Sequence, residues 1–454
     1  MLLSGGMAQA DNLALALVVF GAGWVVFSGQ VVRAQDSTDT RQQLKELQQQ
    51  NALLQEQLRK QQTLIESLSR QVGEIKEAND RRGRELDNLQ SEMKDPSPQT
   101  KDSASLKLGK VSLSGEGGVA FFNTGSEGMF PNKEFRLDEA RLFIEAPIVD
   151  EVYVYTELNL VTREEPDVQL RLGEAYLDFE SVSRLWNCDH QLSVRLGRIY
   201  TPFGEEYQTR YAIDNPLISH SLSDLWAVDE GLELYGRAGK FTYAVAVQNG
   251  GLPDTRDFDS DKSVAGRIGF DPSRWLHLSV SGMRTGNLDV NGDFLSAMWF
   301  GNGFFRSLGS PGTTKFHADL VEGDLLVRLP HGHLTAFGGY IHYNDNDPSA
   351  NNRRDVYYYS LEGTHDVVGK LYAGVRFSQI FAHNGFPIVG NGEFANYFFN
   401  TLTEEIWRLS LGLGYRWNQN LVLKAEYSFE RGKEASGEQR DHEDLFAVEA
   451  AFRF

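Results

Sequence analysis

Apolar and polar residues alternate strictly through the stretch from Leu445 to Phe454. Phe446, Val448, Ala450, Phe452 and Phe454 fall on one parity; Ala447, Glu449, Ala451 and Arg453 fall on the other. A strand sends alternate side chains to opposite faces, so one face is apolar and the other carries a carboxylate and a guanidinium. The pattern recurs upstream. Trp407, Leu409, Leu411, Leu413 and Tyr415 oppose Arg408, Ser410, Gly412, Gly414 and Arg416, and Leu421, Leu423, Ala425, Tyr427 and Phe429 oppose Lys424, Glu426, Ser428 and Glu430. One such strand also suits a soluble sandwich. Its repetition in segments of about ten residues suits a strand with lipid on one side and a watery lumen on the other.

Segments begin near Val111, Phe135, Val152, Gln169, Gln191, Gly231, Phe241, Ser263, Trp275, Phe316, His333, Asp355, Leu371, Ile406, Leu421 and Leu445. That makes about sixteen strands, an even number as single-chain barrels require. The segments near Gln169 and His333 alternate poorly. Tight turns are expected at Ala238-Gly239-Lys240, Asp271-Pro272-Ser273, Pro330-His331-Gly332, Val368-Gly369 and Asn418-Gln419-Asn420, with long loops at about 202–229, 286–314 and 382–403. Short turns at one end and long loops at the other are the asymmetry of a membrane barrel, and an even strand count puts both chain ends on the short-turn, periplasmic side. The fold class predicted is all-β: a transmembrane antiparallel β-barrel of about 16 strands, preceded by a periplasmic coiled-coil helix.

The apolar run Leu13 to Phe27, followed by Val32-Arg33-Ala34 and Gln35, reads as a signal peptide over 1–34 with cleavage after Ala34. It departs from the usual pattern: no Lys or Arg precedes the run and Asp11 does, which leaves Met7 as an alternative start and an uncleaved anchor as the other reading. From Leu44 to Met93 a heptad is sustained. Its a positions are Leu44, Asn51, Leu58, Ile65, Val72, Asn79, Leu86 and Met93; its d positions are Leu47, Leu54, Gln61, Leu68, Ile75, Arg82 and Leu89. An apolar seam of this length predicts a self-associating coiled coil over 36–95, a rod of roughly 75 Å. Asp95-Pro96-Ser97-Pro98 stops the helix. A linker over 96–107 leads into a barrel over 108–454.

Composition adds limits. The chain is 41% hydrophobic with a mean hydropathy of -0.38, too polar for a helical membrane protein but compatible with a barrel, whose lipid face is hidden by alternation. A net charge of -19 argues against nucleic acid as a partner. Cys188 is the single cysteine, so no internal disulfide frames the fold. There is no Gly-x-Ser-x-Gly, His-Glu-x-x-His or phosphate-cradling glycine loop, so no enzyme, cofactor or metal site is predicted. His331 and His333 read as a solvated turn, and Asn344 to Asp347 as a hydrated loop.

Around the fifth strand run Arg195-Leu196-Gly197-Arg198, Thr201-Pro202-Phe203-Gly204-Glu205, Asn215-Pro216-Leu217-Ile218 and Asp229-Glu230-Gly231. This block resembles the phosphate-selective porins of Gram-negative outer membranes, and the terminal strand ending on Phe454 resembles those of outer-membrane barrels generally. The resemblance implies a trimeric, 16-stranded pore for phosphate or other anions, whose third long loop, here 202–228, folds into the lumen. The loop's own Tyr207, Tyr211, Leu217, Ile218, Leu222, Leu225 and Trp226 are too apolar for a free loop; the alternatives are a cap on the rim or packing on a neighbouring subunit.

With apolar parity outward, the candidate pore-lining cations are Arg195, Arg237, Arg267, Arg376, Arg408 and Arg416, joined by Glu205, Glu206 and Arg210 from the loop. Arg328, Lys424 and Arg453 share the inward parity with Glu157, Glu233, Glu322, Asp324, Glu362, Glu426, Glu430 and Glu449. A wall of Arg draws anions, while interleaved carboxylates pair with it and cancel the field. Residues after the first hundred carry a net -17, which points to a general, mildly charge-biased pore over strict phosphate selectivity. The expected partners are outer-membrane lipid, copies of the chain itself (a homotrimer), small ions or phosphate as permeants, and a periplasmic envelope component for the rod. A second function class is a structural tether, with the barrel anchoring the rod.

Overall fold

A computed structural model describes residues 106–108, 110–163, 170–253, 255–257, 259–292, 294–399 and 401–454. The signal peptide of 1–34, the coiled coil of 36–95 and nearly all of the linker of 96–107 lie outside these residues. Leu106–Leu108 is a short strand folded back on the start of the barrel, Leu108 opposite Val111.

Sixteen strands form the wall: β1 Val111–Thr124, β2 Glu134–Val149, β3 Val152–Val161, β4 Arg171–Phe179, β5 Ser193–Tyr200, β6 Trp226–Ala238, β7 Phe241–Gln248, β8 Ser263–Ser273, β9 Leu276–Arg284, β10 Lys315–Leu329, β11 Gly332–Asp345, β12 Arg354–Val368, β13 Leu371–Phe386, β14 Thr403–Asn418, β15 Leu421–Glu434 and β16 Leu445–Arg453. Each pairs antiparallel with its chain neighbours. β16 returns to β1, with Leu445 opposite Thr124 and Arg453 opposite Glu116. Closure leaves no sheet edge, as a wall in lipid requires. Every expected segment is a strand of this wall. The largest displacement is at β6, expected from Gly231 and beginning at Trp226.

The alternation takes the expected sense. Phe446, Val448 and Phe452 are 39%, 43% and 37% exposed, while Ala447, Glu449 and Ala451 are buried. Leu232, Val245, Ile268, Val280, Val321, Leu361, Val375 and Leu411 continue the exposed apolar belt around the wall. So much outward apolar surface on a closed barrel suits a hydrocarbon solvent and not water.

At the end where the wall begins and finishes, six of the seven connections are two residues long: 150–151, 239–240, 274–275, 330–331, 369–370 and 419–420. Gly239 and Gly369 take φ of +61° and +59° there, a conformation tight hairpin turns need. The seventh, 180–192, carries a 3-10 turn at Val182–Trp186. Two sequence-based boundaries are corrected. The turn expected at Asp271-Pro272-Ser273 lies at 274–275, because β8 runs through Ser273 and Pro272 sits where the β8–β9 register slips. The loop expected from 382 begins after Phe386, where β13 ends. The opposite end carries eight longer loops, among them 201–225, 285–314 and 387–402.

Those three loops turn inward. Phe203 and Leu222 from the third, Met298, Phe300 and Phe305 from the fifth, and Ile388 from the seventh pack against inward-facing Phe316, Leu320, Ile341, Tyr343, Tyr358, Ile380 and Ile406. The strand pair Leu295–Trp299 and Phe304–Arg306 belongs to this insert, and Trp299 pairs with Trp226 at the start of β6. The long-loop half of the lumen is therefore filled by apolar side chains along the β8 to β14 side.

Candidate pore constriction

The loop over 201–225 leaves β5 and crosses the lumen. At Gly204 the backbone takes a φ of +67°, a conformation that favours glycine, and a Cβ there would press on the Glu322 carboxylate of β10. The Gly204 amide donates to Ser281 Oγ at 3.0 Å. A 3-10 turn over Glu206–Thr209 follows. The loop's remaining backbone has no ladder of its own, and an unbonded peptide group away from water is costly.

The wall, together with Arg163 just beyond the end of β3, supplies the partners. Lys424 Nζ donates to the Leu217 carbonyl (3.0 Å), Arg163 Nη1 to Ile218 (2.9 Å), Arg376 Nη1 to Ser219 (2.6 Å), Arg408 Nη1 to His220 (3.1 Å) and Tyr372 Oη to Pro216 (2.9 Å). In return, the amides of Ile218 and Ser219 donate to Glu426 Oε2 at 2.6 and 2.8 Å, and that of Leu222 donates to Ser378 Oγ at 3.1 Å. Leu217 lies beside inward Gly374 and Gly412, where any Cβ would crowd its methyl. The loop is a bonded, packed insert, the arrangement its apolar residues called for; it begins at Thr201 and ends where β6 starts at Trp226.

The candidate residues fall into distinct surroundings. Arg195, Arg237 and Arg267 share a cavity of about 330 Å³ near the short turns, lined also by Tyr207 and Tyr235. Arg195 pairs with Asp178 at 2.7 Å and Glu233 at 3.2 Å, Arg267 with Glu205 at 3.2 Å, and Arg237 only distantly with Asp271 at 3.7 Å. Glu205, Glu206 and Arg376 line a second cavity of about 720 Å³, bounded by β9 to β13 and reaching the turn at Gly332. Arg376 Nε holds Glu362 at 2.8 Å, and Glu206 accepts from Ser221 Oγ at 2.7 Å. Arg408 is buried against Glu430 at 2.5 Å. Arg416 is half-exposed at the short-turn rim with Asp366 at 2.6 Å.

Arg210 is buried against Asp224 at 2.9 Å and lines a third cavity, of about 410 Å³, towards the long loops. The first and third cavities have no lining residue in common. Tyr207 stands in the first and Tyr200 in the third, their rings stacked with centroids 5.5 Å apart.

Two loop carboxylates sit in opposite fields. Burial alone would raise Asp224, but Arg210 and His220 hold its carboxyl well below the usual range. Its stabilising charge is thus complete above the ordinary aspartate pKa and is lost only as pH falls through its depressed value. Burial raises Glu206, with Asp224 adding to the shift and Arg376 opposing it.

Sequence reasoning did not single out Arg141, Arg163, Glu139 or Asp178. The β1–β2 register shifts at Gly118 and Val119, and the β2–β3 register at Ala140 and Arg141, so simple parity fails there. The inward course of 285–314 and 387–402 was also missed, although Trp299, Phe300, Phe304, Phe305 and Ile388 carry the same apolar signal as the third loop. Among the described residues, no group of three or more His, Cys, Asp or Glu is arranged to hold a metal ion.

No protein-family model matches this chain, and no curated protein does. Among solved structures, the chain is similar to the outer membrane channel DcaP of Acinetobacter baumannii, at 13% identity and a TM-score of 0.50 over 78% of this chain and 99% of that one. It is likewise similar to OmpT, an outer membrane protein of Vibrio cholerae, at 11% identity and a TM-score of 0.50 over 78% and 100% of the two chains. At such identity the likeness is one of fold.

The bonds from Glu426 predict a steep local sensitivity. Glu426→Leu leaves the Ile218 and Ser219 amides unpaired inside the barrel and should cost about 2–5 kcal/mol in denaturant unfolding in micelles. Arg416→Gln, at the exposed rim, should cost less than about 1 kcal/mol; equal effects would contradict this reading.

Proposed function

We propose that the chain is a Gram-negative outer-membrane channel through which ions and small solutes diffuse, with small anions, phosphate among them, favoured. The observation that carries this reading is the inserted third loop, with solvent cavities on both of its sides within a closed barrel of apolar outer face. The apolar insert fills the long-loop half of the lumen on the β8 to β14 side, where the cavity of β9 to β13 lies towards the short turns. The route therefore runs along β3 to β8, past the stacked Tyr200 and Tyr207, between Arg210 on the long-loop side and Arg195, Arg237 and Arg267 on the other. Fixed charges act strongly only in such narrow places, since salt screens them within about 8 Å at physiological ionic strength.

Reconstituted in a planar bilayer, the protein should give discrete conductance steps and an anion-ward reversal potential in a salt gradient. Tyr207→Ala should raise the conductance, and Arg237→Gln, whose nearest carboxylate is 3.7 Å away, should move the reversal potential towards cations. A chain that folds and inserts without conducting would sink the proposal.

The heptads of Leu44 to Met93 favour a second, compatible role: a periplasmic rod that associates in a homotrimer and ties the barrel to another envelope layer. Deletion of 36–95 should then leave conductance intact while the outer membrane detaches. An unchanged envelope would remove the tether reading.

A further inference from the structure

We propose that the cavity on the long-loop side of the third loop is a binding site for a small organic anion with a flat apolar body, an aromatic carboxylate in its simplest form. The cavity holds about 410 Å³, within the usual range of small-molecule sites and ample for one ring. Its lining has two components. One is a set of three guanidiniums, Arg141 on β2, Arg171 on β4 and Arg210 on the third loop, the last paired with Asp224, with no carboxylate among the described lining side chains. The other is aromatic: Tyr200, Trp226, Trp299 and Phe304. The Trp226 and Trp299 rings stack with centroids 5.8 Å apart, and Phe304 meets Trp299 edge-on at 5.0 Å.

Arg141 and the two indoles of this lining are left wanting acceptors. Arg141 is only 5% exposed, yet its Nε and Nη1 have no hydrogen-bond partner among the described residues. Glu139 and Glu157 stand at 3.7 and 3.9 Å, near enough to balance its charge but too far to bond it well. The indole N–H groups of Trp226 and Trp299 are buried and, among the described residues, unpartnered too, and Trp299 is 3% exposed. A buried donor without an acceptor is destabilising, more so on a charged group. A carboxylate brings acceptor oxygens that match a guanidinium's paired donors, and a ring attached to it would be sheltered by the aromatic wall.

Other ligands fit less well. Inorganic phosphate would gain from the donors but nothing from the aromatic wall. A neutral sugar brings as many donors as acceptors to a site already rich in donors. The inference deepens the channel reading and rests on it for access to the cavity from the long-loop side.

Calorimetric titration of the full-length protein, folded in detergent, tests it with three probes: benzoate, its neutral analogue benzamide, and inorganic phosphate. Benzoate should bind saturably, with benzamide and phosphate each at least about tenfold weaker, a difference of roughly 1.4 kcal/mol. Arg171→Gln, at the open start of β4, should weaken benzoate about tenfold, and Trp299→Phe, which keeps a ring and deletes the N–H, should weaken it measurably. Benzamide as tight as benzoate would show that charge is not read; phosphate as tight would show that the aromatic wall is not. Either result, or no benzoate binding to the unaltered protein, overturns the inference without touching the channel. Loss of conductance with benzoate binding retained would overturn the channel reading alone.

Discussion

Irregular backbone can cross the interior of a membrane barrel only if something bonds its peptide groups, and here the wall and Arg163, just beyond the end of β3, do so with charged side chains. Lys424, Arg163, Arg376 and Arg408 each donate to a carbonyl between Leu217 and His220, while Glu426 takes two amides of the same stretch. This spends lumen charge on structure. Arg376 and Arg408 are held on one side by Glu362 and Glu430 and on the other by the loop. Their inward parity makes them look like pore residues, but their field is largely committed to ion pairs and peptide dipoles.

The same insert makes the lumen lopsided. Along β8 to β14 the third, fifth and seventh loops bury Phe203, Phe300, Phe305 and Ile388 among inward aromatic and aliphatic side chains. Such a core excludes water and ions, because it offers nothing to replace a hydration shell. The opposite side keeps a cavity in the long-loop half as well as near the short turns, and those carry arginines beside tyrosines and tryptophans. The residues after the first hundred carry a net charge of -17, yet the barrel can in this way present a local surface of the other sign, since the carboxylates near the arginines are partly neutralised by them and others lie in the loops. Overall charge is a statement about the whole surface; preference for an ion is decided within a Debye length of the narrow part.

The wall was legible because alternation is a strong signal when one face meets lipid, and the turns at Gly239 and Gly369 punctuate it. It blurred where the backbone departs from period two. Around Ala140 and Arg141 the register shifts, which puts Glu139 and Arg141 out of simple count, and β6 begins earlier than its alternation because Trp226 pairs with the inner strand at Trp299. The third loop announced itself by apolar content. The partners of its peptide groups could not be read, because a contact such as Ser219 with Glu426 joins residues 207 apart in sequence and depends on how a loop lies in a finished barrel. The donor-rich cavity was hidden for the same reason: Arg141, Arg210, Trp226 and Trp299 come from four separate segments.

The third loop, bonded in this way, is a fixed part of the barrel. Amide hydrogen exchange, read by mass spectrometry on peptides covering 212–222 of the folded protein in detergent, tests this directly. The amides of Ile218, Ser219 and Leu222 should exchange as slowly as those of the neighbouring strands β13 and β15. Exchange within seconds, as in an exposed loop, would contradict it.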